Sequence, residues 1–344
     1  MEIYNAAIAG LGFIGAGDQV SGDKLGQNVL DLDGTHFFAY DKNSRINLVC
    51  GSSRDLGRRI RFRDKCGARV YEEWKDMLKD ERIDIISVAT YTPYHEEIVL
   101  ASAEAGVKII YCEKPIANTL ASAKLMFEKC AASGCSLIIN HQRRFNSNYQ
   151  CAKSLIESGK LGKITSVTTE WASGRLGNVG THVLDAIFML SSRQPKAVSG
   201  TLDSTKKLDC RGEEFHDPGA WGCIDLGEQV LVSVNAPARS RVPFHIKINC
   251  ELGYLTTGGA TAEYGYWDSK EKHIIDMQKR NTSMDNAVAN IVNYLDGKEA
   301  LIYGSDALYS LETIIGFYAS HNTDSKWIEF PLSGPSLETF LNSG

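Results

Sequence analysis

Lys114 is the residue of this chain that is best placed to do chemistry. It lies in Glu113-Lys114-Pro115, directly after a predicted strand at 108–112 that is apolar from residue 109 onward. In an open parallel sheet, ligands bind beyond the carboxyl ends of the strands, so a lysine there can face a bound substrate. A solvated surface lysine is the alternative. The motifs below favour catalysis, and we also predict a cis Lys114–Pro115 bond, because a tight strand exit tolerates that isomer.

A glycine motif, Gly-x-Gly-x-x-Gly, follows the predicted strand at 6–9. Glycines at this spacing let the backbone approach a pyrophosphate at the N-terminus of a helix. The motif alone is a modest signal, and a tight turn that binds nothing is the alternative. We predict a dinucleotide site that includes Gly10, Gly12, Phe13, Ile14 and Gly15.

The end of the second predicted strand favours NADP over NAD. An acidic residue at this point would bind the ribose 2′-hydroxyl of NAD. The chain has Ser52-Ser53-Arg54 instead, which leaves room and positive charge for a 2′-phosphate. The alternative is that Arg54 and the arginines of the following helix are only surface charges. We expect NADP as the preferred cofactor and NAD as the second choice.

Polar side chains also follow the other predicted strands. His95 lies at the start of a helix, where a histidine is more often an inert neighbour of the cap, so we assign it no chemistry. Arg143 and Arg144 can meet phosphate or sugar hydroxyls, and salt bridges between domains are the equal alternative. We predict cofactor contacts from Ala89, Thr90, Thr92, His95, Glu113 and Lys114, and substrate contacts from Lys114, Arg143, Arg144, Asn178 and His182.

The last two of these residues lie in a predicted helix in the middle of the chain. Helical spacing places Asn178, His182 and Asp185 on one face, with apolar residues on the opposite face. A lone histidine on such a helix is usually structural. In the context of the other motifs, an imidazole that titrates near neutral pH suits general acid-base chemistry.

Two kinds of structure must position these residues. Strands and helices alternate through about residue 140, which predicts βαβ units on a parallel sheet. From about residue 163 the chain is rich in short strands separated by turns, as in an antiparallel sheet, and it ends in helices at 286–295 and 305–320. We predict a dinucleotide-binding domain at 1–141 and a substrate and oligomerisation domain at 142–344. The polar segment 16–45 predicts in part an inserted loop near the cofactor or substrate, with surface decoration as the alternative.

Composition excludes several other classes of protein. The 344 residues carry a net charge of −5, so nucleic acid and anionic membranes are not expected partners. The N-terminal sequence lacks a signal-peptide pattern, and no run of 18 apolar residues occurs, so we expect a cytoplasmic protein. The nine cysteines form no Cys-x-x-Cys pair, which predicts reduced thiols and no metal site.

Together, the glycine motif, Glu113-Lys114-Pro115 and Gly180-x-His182-x-x-Asp185 resemble the Gfo/Idh/MocA oxidoreductase family. Weaker similarity continues at 244–254 and 304–308 and covers almost the whole chain. The resemblance implies a Rossmann domain, a second α/β domain with a large, mostly antiparallel open sheet, and a homo-oligomer formed through that sheet. It also implies hydride transfer on a sugar, a sugar derivative with or without a nucleotide, or a cyclitol.

By the same resemblance, Lys114 matches the catalytic lysine of the family and His182 its catalytic histidine. Many members have Asp four residues before that histidine, where this chain has Asn178. A non-catalytic nucleotide-sensing regulator of the same fold is an alternative, although retention of both Lys114 and His182 argues against it. The second alternative is a trans-dihydrodiol dehydrogenase. A substrate pocket lined by aromatic side chains instead of Arg143, Arg144 and other polar groups would distinguish that enzyme from a sugar or cyclitol oxidoreductase.

Overall fold

The structure, a computed structural model, describes residues 2–205, 215–259, 261–276, 281–302 and 305–342. Cys210, one of the nine cysteines, and Gly304, the first residue of the segment 304–308, lie outside these ranges. The chain divides into two compact units. The first comprises Met1–Ala117, Ser122–Phe145 and Arg280–Ser305, and the second comprises Asn118–Ala121, Asn146–Lys279 and Asp306–Gly344.

The first unit is built on a six-stranded parallel sheet in the order β3-β2-β1-β4-β5-β6. Its central strands are buried on both faces, which is why their sequences are continuous apolar runs. The reversal of strand order beside β1 places the glycine motif at the topological switch point of the sheet. The strands are β1 Tyr4–Ala9, β2 Ile46–Ser52, β3 Arg69–Tyr71, β4 Ile85–Val88, β5 Ile109–Cys112 and β6 Ser136–Ile139.

Eleven α-helices occur in the described residues of the whole chain. They are α1 Phe13–Ala16, α2 Gln19–Lys24, α3 His36–Asp41, α4 Leu56–Cys66, α5 Trp74–Asp80, α6 His95–Glu104, α7 Leu120–Ala132, α8 Ser147–Glu157, α9 Thr181–Ser191, α10 Ser283–Leu295 and α11 Ala307–His321.

Part of the segment 16–45 lies in the core of the first unit, which was not predicted. The helix after the glycine motif has a single turn, since Gly17 adopts a left-handed conformation (φ +59°) that ends it. α3 then places Phe37, Ala39 and Tyr40 in the core of the first unit. This part of the segment is therefore neither an inserted surface loop nor surface decoration, because it supplies a buried layer of the fold.

α10 lies far along the sequence but belongs to the first unit. Its apolar face, with Met284, Ala287, Val288 and Ile291, is part of the same core as α3. A capping box between Thr282 and Asp285 begins the helix. The first unit is thus completed by residues that follow most of the second unit in the sequence.

The second unit contains a nine-stranded mixed sheet in the order β14-β13-β12-β11-β7-β10-β9-β8-β15. Its pairs are antiparallel except for β7 with β10, which is parallel. The predicted fold class, a parallel Rossmann sheet followed by a large, mostly antiparallel sheet, is confirmed. The strands are β7 Ile164–Glu170, β8 Ala197–Leu202, β9 Ala220–Asp225, β10 Leu231–Ala236, β11 His245–Cys250, β12 Gly253–Thr257, β13 Ala262–Tyr266, β14 Lys272–Ile275 and β15 Ile328–Glu329.

One face of this sheet is buried and the other carries exposed side chains, as the strict alternation in β10 demonstrates. Cross-strand pairing puts Trp221, Leu231 and Ile274 on the exposed face, and Ile274 retains 70% of its accessible surface. α11 packs on β8, the neighbour of the edge strand β15, and on α9. In the described part of the chain, no helix has the length and apolar character needed to span a bilayer.

Candidate active site

The glycine loop links β1 to α1 and is shaped by close backbone approaches. Gly10 has φ +104°, and a Cβ added there would collide with the carbonyl oxygen of Ala89. A Cβ on Gly15 would collide with the carbonyl oxygen of Gly10. Gly12 differs, because its nearest potential contact is an Arg58 guanidinium nitrogen at 3.7 Å. The loop is therefore tight where it packs on β4 and open at Gly12, which is the arrangement a pyrophosphate needs.

Arginines from the start of α4 lie around this opening. Arg58 Nε donates to Ser21 Oγ (3.1 Å) in α2, and it also lies 3.8 Å from the Asp18 carboxylate. Arg61 forms a two-point ion pair with Asp18 at 2.7 and 2.9 Å. The segment after α1 thus holds the Arg58 side chain beside Gly12. Sequence reasoning treated Arg58 only as a candidate surface charge, and its contact with Gly12 has no local sequence signal.

The predicted residues at the end of β2 occupy different environments. Ser52 is buried, and its carbonyl oxygen accepts a hydrogen bond from Gly10 N–H (3.0 Å). Arg59 Nη1 donates to the Ser53 carbonyl oxygen (2.6 Å), which fixes the turn. Arg54 lies over the ring of Tyr94, with its guanidinium carbon 5.0 Å from the ring centroid and Nη2 3.2 Å from the hydroxyl.

His95 connects the ends of β4 and β5. Its Nε2 lies 3.1 Å from the Thr90 carbonyl oxygen, and its Nδ1 lies 3.0 Å from the Pro115 carbonyl oxygen. Burial lowers the pKa of this imidazole and outweighs the opposing effects of the carbonyl oxygens and of Glu113. His95 thus braces the turn that carries Lys114. Beside it, the buried Thr90 Oγ1 has no hydrogen-bond partner among the described residues, and Thr92 begins a short 3₁₀ turn before α6.

The turn after β5 carries Glu113, Lys114 and a cis Lys114–Pro115 bond, and the predicted isomer is confirmed. Glu113 is buried and Lys114 is half-buried. Burial opposes ionisation of the Glu113 carboxyl, but hydrogen bonds from His36 and Asn140 and the nearby charges of His36 and Lys114 outweigh it, so its pKa is lowered. Glu113 is therefore a buried carboxylate directly behind the lysine.

The two arginines after β6 lie in a short 3₁₀ turn, Gln142–Phe145, at the end of the second segment of the first unit. Arg144 is buried and Arg143 is half-buried. Their predicted contact with substrate stays a prediction.

In the second unit, a single π-helical turn, Leu176–Gly180, leads into α9. The Asp217 carboxylate accepts the backbone N–H groups of Gly177 (2.6 Å) and Asn178 (2.8 Å). The Leu176 N–H donates to the Pro218 carbonyl oxygen at 2.8 Å. This turn is held from outside, by a loop about 40 residues further along the chain, and sequence reasoning missed Asp217 for that reason.

α9 begins directly after this turn, so Asn178 lies in the π turn and His182 in the first turn of α9. His182 is half-buried, whereas Asp185 and every other residue of the helix are buried. Asp217 and the π turn therefore set the place from which Asn178 and His182 project.

The described residues contain no group of three or more His, Cys, Asp or Glu side chains that could hold a metal ion. Within the first unit, the structure brings the glycine loop together with the ends of β2, β4 and β5. Within the second unit, it places Asn178 in the π turn and His182 in the first turn of α9, which follows directly. The roles of these residues stay predictions.

A Rossmann unit with a switch-point glycine loop, joined to a unit with a large mixed sheet, defines a class of dinucleotide-binding oxidoreductases. The Gfo/Idh/MocA model, described as an oxidoreductase family with an NAD-binding Rossmann fold, matches residues 5–141. Inositol 2-dehydrogenase from Pseudomonas savastanoi pv. phaseolicola is 35% identical over 266 residues, which cover 70% of this chain and 75% of that protein. Its counterpart from Serratia proteamaculans is 32% identical over 248 residues, 69% of each chain. This chain belongs to the Gfo/Idh/MocA family.

The match is shorter for some relatives. The chain spans 55% of the length of inositol 2-dehydrogenase from Azotobacter vinelandii, at 26% identity over 55% of this chain. Among solved structures, the fold resembles the WlbA dehydrogenase from Bordetella pertussis in complex with NADH and UDP-GlcNAcA, with a TM-score of 0.76, 20% identity, and 96% of this chain and 99% of that chain covered. It also resembles the aldose-aldose oxidoreductase from Caulobacter crescentus complexed with glycerol, with a TM-score of 0.77, 18% identity, and coverage of 96% and 100%.

Proposed function

We propose that this protein is an NAD(P)-dependent oxidoreductase that interconverts a secondary alcohol and a ketone on a sugar, a sugar derivative or a cyclitol. One observation carries the proposal: a half-buried lysine follows β5 in the same unit as an open glycine loop. The inositol dehydrogenases among the relatives support the substrate class. The nucleotide-sugar complex of a solved neighbour extends that class to nucleotide-linked sugars.

The residues around the glycine loop fit a dinucleotide. Gly12 leaves open space beside the N-terminus of α1, whose first N–H groups have no acceptor within a helix. The buried Thr90 Oγ1 supplies a further polar atom. Gly12, Phe13, Ile14 and Arg58 would hold the phosphates, and Thr90 and Lys114 would lie toward the nicotinamide end. Hydride exchange with a substrate carbon is the chemistry that such a cofactor supplies when it is bound.

NADP is the proposed preferred cofactor. Ser53 and Arg54 stand where an acidic residue would select NAD, and Arg58 adds a second positive charge beside the loop. A charge-assisted contact to the 2′-phosphate contributes about 1.5–3 kcal/mol, or roughly a 10- to 150-fold difference in affinity. Titration of the purified protein with NADPH and NADH measures this directly. Binding of NADH at least as tight as that of NADPH would remove the preference from the proposal.

The chain's own residues handle the proton of the substrate hydroxyl. Lys114 donates a hydrogen bond to the hydroxyl oxygen and stabilises its alkoxide character, and His182 takes or returns the proton. Asn178 cannot carry a proton, so it orients the substrate or the imidazole by hydrogen bonding. Arg143 and Arg144 are proposed to contact polar groups of the substrate.

Lys114→Ala tests the proposed catalytic role. The substitution should lower turnover with a sugar or cyclitol substrate by orders of magnitude, while the dissociation constant of NADPH changes little. Lys108→Ala is the matched control, because Lys108 precedes the same strand at its opposite end and pairs with Asp84 (2.9 Å). Unchanged turnover in the Lys114 variant would make Lys114 an ordinary surface lysine.

The substrate class is tested with a panel that contains myo-inositol, free aldoses and UDP-linked sugars, with cofactor reduction followed at 340 nm. Turnover of one of these groups is the expected result. Tight NADPH binding with no turnover in either direction across the panel would favour the non-catalytic regulator.

We also propose that the protein forms a homo-oligomer through the exposed face of the nine-stranded sheet. Trp221 and Leu231 lie exposed on that face in the adjacent strands β9 and β10, and Ile274 lies exposed on the same face in the edge strand β14. Apolar side chains left exposed on a sheet face are available for burial in an interface. Sedimentation should give a dimer or tetramer, and Ile274→Lys should shift the distribution toward the monomer. A monomeric wild-type protein at micromolar concentration would rule the interface out.

A further inference from the structure

His36, in the segment whose role the sequence left open, is buried in the first unit and contacts the turn that carries Lys114. Its exposed fraction is zero. Its Nε2 lies 3.0 Å from Glu113 Oε1, and its Nδ1 lies 2.7 Å from Ser87 Oγ in β4. The ring also packs edge-on against Tyr111, with ring centroids 4.8 Å apart. A histidine from α3 thus lies against three points on neighbouring strands.

The contacts continue on both sides of His36. The Tyr40 hydroxyl, one turn along α3, lies 2.7 Å from Ser87 Oγ. On the other side, Asn140 Nδ2 donates to Glu113 Oε1 at 2.6 Å, and the Tyr111 hydroxyl donates to Asn140 Oδ1 at 2.6 Å. All these partners are buried. The network therefore ties α3, β4, β5 and the residue after β6 together at the carboxyl edge of the sheet.

The chemistry of these groups limits which of them donate and which accept. Because the Glu113 pKa is lowered, its carboxylate only accepts, so His36 Nε2–H must donate to it. In a neutral imidazole, Nδ1 then accepts from the Ser87 hydroxyl, and Ser87 in turn accepts from the Tyr40 hydroxyl. Burial raises the pKa of the Tyr40 hydroxyl, which keeps it a donor. Every group in the chain from Tyr40 to Glu113 is satisfied in this arrangement, and a protonated imidazole, which donates at both nitrogens, satisfies Glu113 and Ser87 as well.

We propose that His36 is a positioning residue for Lys114 and acts through Glu113, an inference that rests on the proposed catalytic role of the lysine. The backbone N–H of Lys114 points to Glu113 Oε2 at 3.4 Å, so the carboxylate contacts the lysine's own peptide group. A buried carboxylate that loses one of its donors must rotate, take up a proton or admit water. Each of these responses moves the turn from which the ammonium group projects.

Packing alone does not require the imidazole. α3 already buries Phe37, Ala39 and Tyr40 in the core, and an apolar side chain at position 36 could continue that packing without an imidazole. Buried polar networks that are fully satisfied rigidify their surroundings. The imidazole contacts Glu113, the residue directly before Lys114, so a rigid network there fixes the position of the lysine.

The test compares wild-type protein with His36→Gln and Ser87→Ala, the second of which loosens the same imidazole from its other side. A displacement of a catalytic group by about 1 Å can cost a factor of 10². We therefore expect kcat to fall about 10- to 100-fold in His36→Gln and less in Ser87→Ala, with KM and the NADPH dissociation constant changed by less than about threefold. Lys42→Gln is the matched control at the C-terminal end of α3, because the Lys42 side chain is exposed and its ion pair with Asp285 lies outside the network.

A second readout does not depend on turnover. Lysines are reductively methylated with ¹³C-formaldehyde, and the Lys114 resonance is identified by its absence in Lys114→Arg. His36→Gln and Ser87→Ala should shift this resonance, and Lys42→Gln should not. If the wild-type protein turns over no substrate of the panel, the proposed reaction is rejected. The shifts of the Lys114 resonance still test, independently of turnover, whether His36 positions Lys114. An unshifted Lys114 resonance in a folded His36→Gln protein, or a wild-type kcat in that variant, would overturn the inference.

Discussion

Gly12→Ala should separate cofactor binding from folding. Gly12 has φ −87° and ψ −157°, which an alanine adopts without strain, and the added methyl would meet nothing closer than an Arg58 nitrogen at 3.7 Å. The free energy of unfolding should therefore change by less than about 0.5 kcal/mol. The methyl would, however, occupy the space through which a pyrophosphate reaches the backbone N–H groups.

The expected loss of affinity follows from the hydrogen bonds at risk. One charge-assisted hydrogen bond between an N–H group and a phosphate contributes about 1.5–3 kcal/mol, so the NADPH dissociation constant should rise roughly 10- to 150-fold. Isothermal titration calorimetry measures the affinity, and urea denaturation measures the stability of the same preparation.

Gly15→Ala is the matched control, because there the added Cβ collides with the Gly10 carbonyl oxygen inside the loop. Overpacking of this kind costs about 1–3 kcal/mol of stability or more. The two variants should therefore differ in kind, with Gly12→Ala weak in binding and Gly15→Ala weak in folding. If Gly12→Ala binds NADPH as wild type does, the open space at Gly12 is not the phosphate site.

Three further predictions concern the other described contacts. His182→Asn should reduce turnover by about 10²- to 10⁴-fold and remove a limb of the pH-rate profile, whereas Asn178→Asp should leave a working enzyme; an unaltered pH-rate limb in His182→Asn would make the histidine structural. Asp217→Asn leaves one side-chain oxygen to accept from two backbone N–H groups. We therefore expect kcat to fall while the circular dichroism spectrum and the NADPH affinity stay close to wild type. A normal kcat would contradict the role of the π turn. Burial lowers the pKa of His95, so between the two pKa values the unfolded chain binds a proton that the folded chain does not. The contribution of neutral His95 to the free energy of unfolding is therefore present above about pH 6.5, the ordinary pKa of histidine, and is lost as the pH falls through the lowered folded pKa. Urea unfolding from pH 5 to 8 should therefore show a smaller pH slope in His95→Gln than in wild type, and equal slopes would refute the assignment.

The sequence predicts the parallel sheet and its functional ends well, because the signals there are local. Strands such as β4 and β5 are buried on both faces and appear as short apolar runs bounded by glycine or polar residues. Glu113-Lys114-Pro115 follows one of these runs directly. Strands β3, β7, β13, β14 and β15 were not predicted, since edge or half-exposed strands carry polar residues at alternate positions and lack that contrast.

Contacts between distant residues could not be read from the sequence. His36 lies 77 residues from Glu113, and Asp217 lies 39 residues from Asn178. Within 16–45 the only local sign of α3 is the short apolar run Phe37-Phe38-Ala39-Tyr40, and the polar, Gly- and Asp-rich residues around it do not indicate a core helix. The partners that make His36 useful come from β4 and β5, so its role emerges only when the sheet has brought them beside α3.

The position of α10 in the chain has a consequence for synthesis in the cell. The core of the first unit includes Met284, Ala287 and Val288, and their partners in α3 are made about 250 residues earlier. When the ribosome has released residues 1–145, the apolar face that α10 will cover is still open to water. The nascent first unit must therefore wait through translation of most of the second unit before it can close. At about 5–20 residues per second that wait is roughly 7–30 seconds, an interval in which chaperones would have access to the uncovered face.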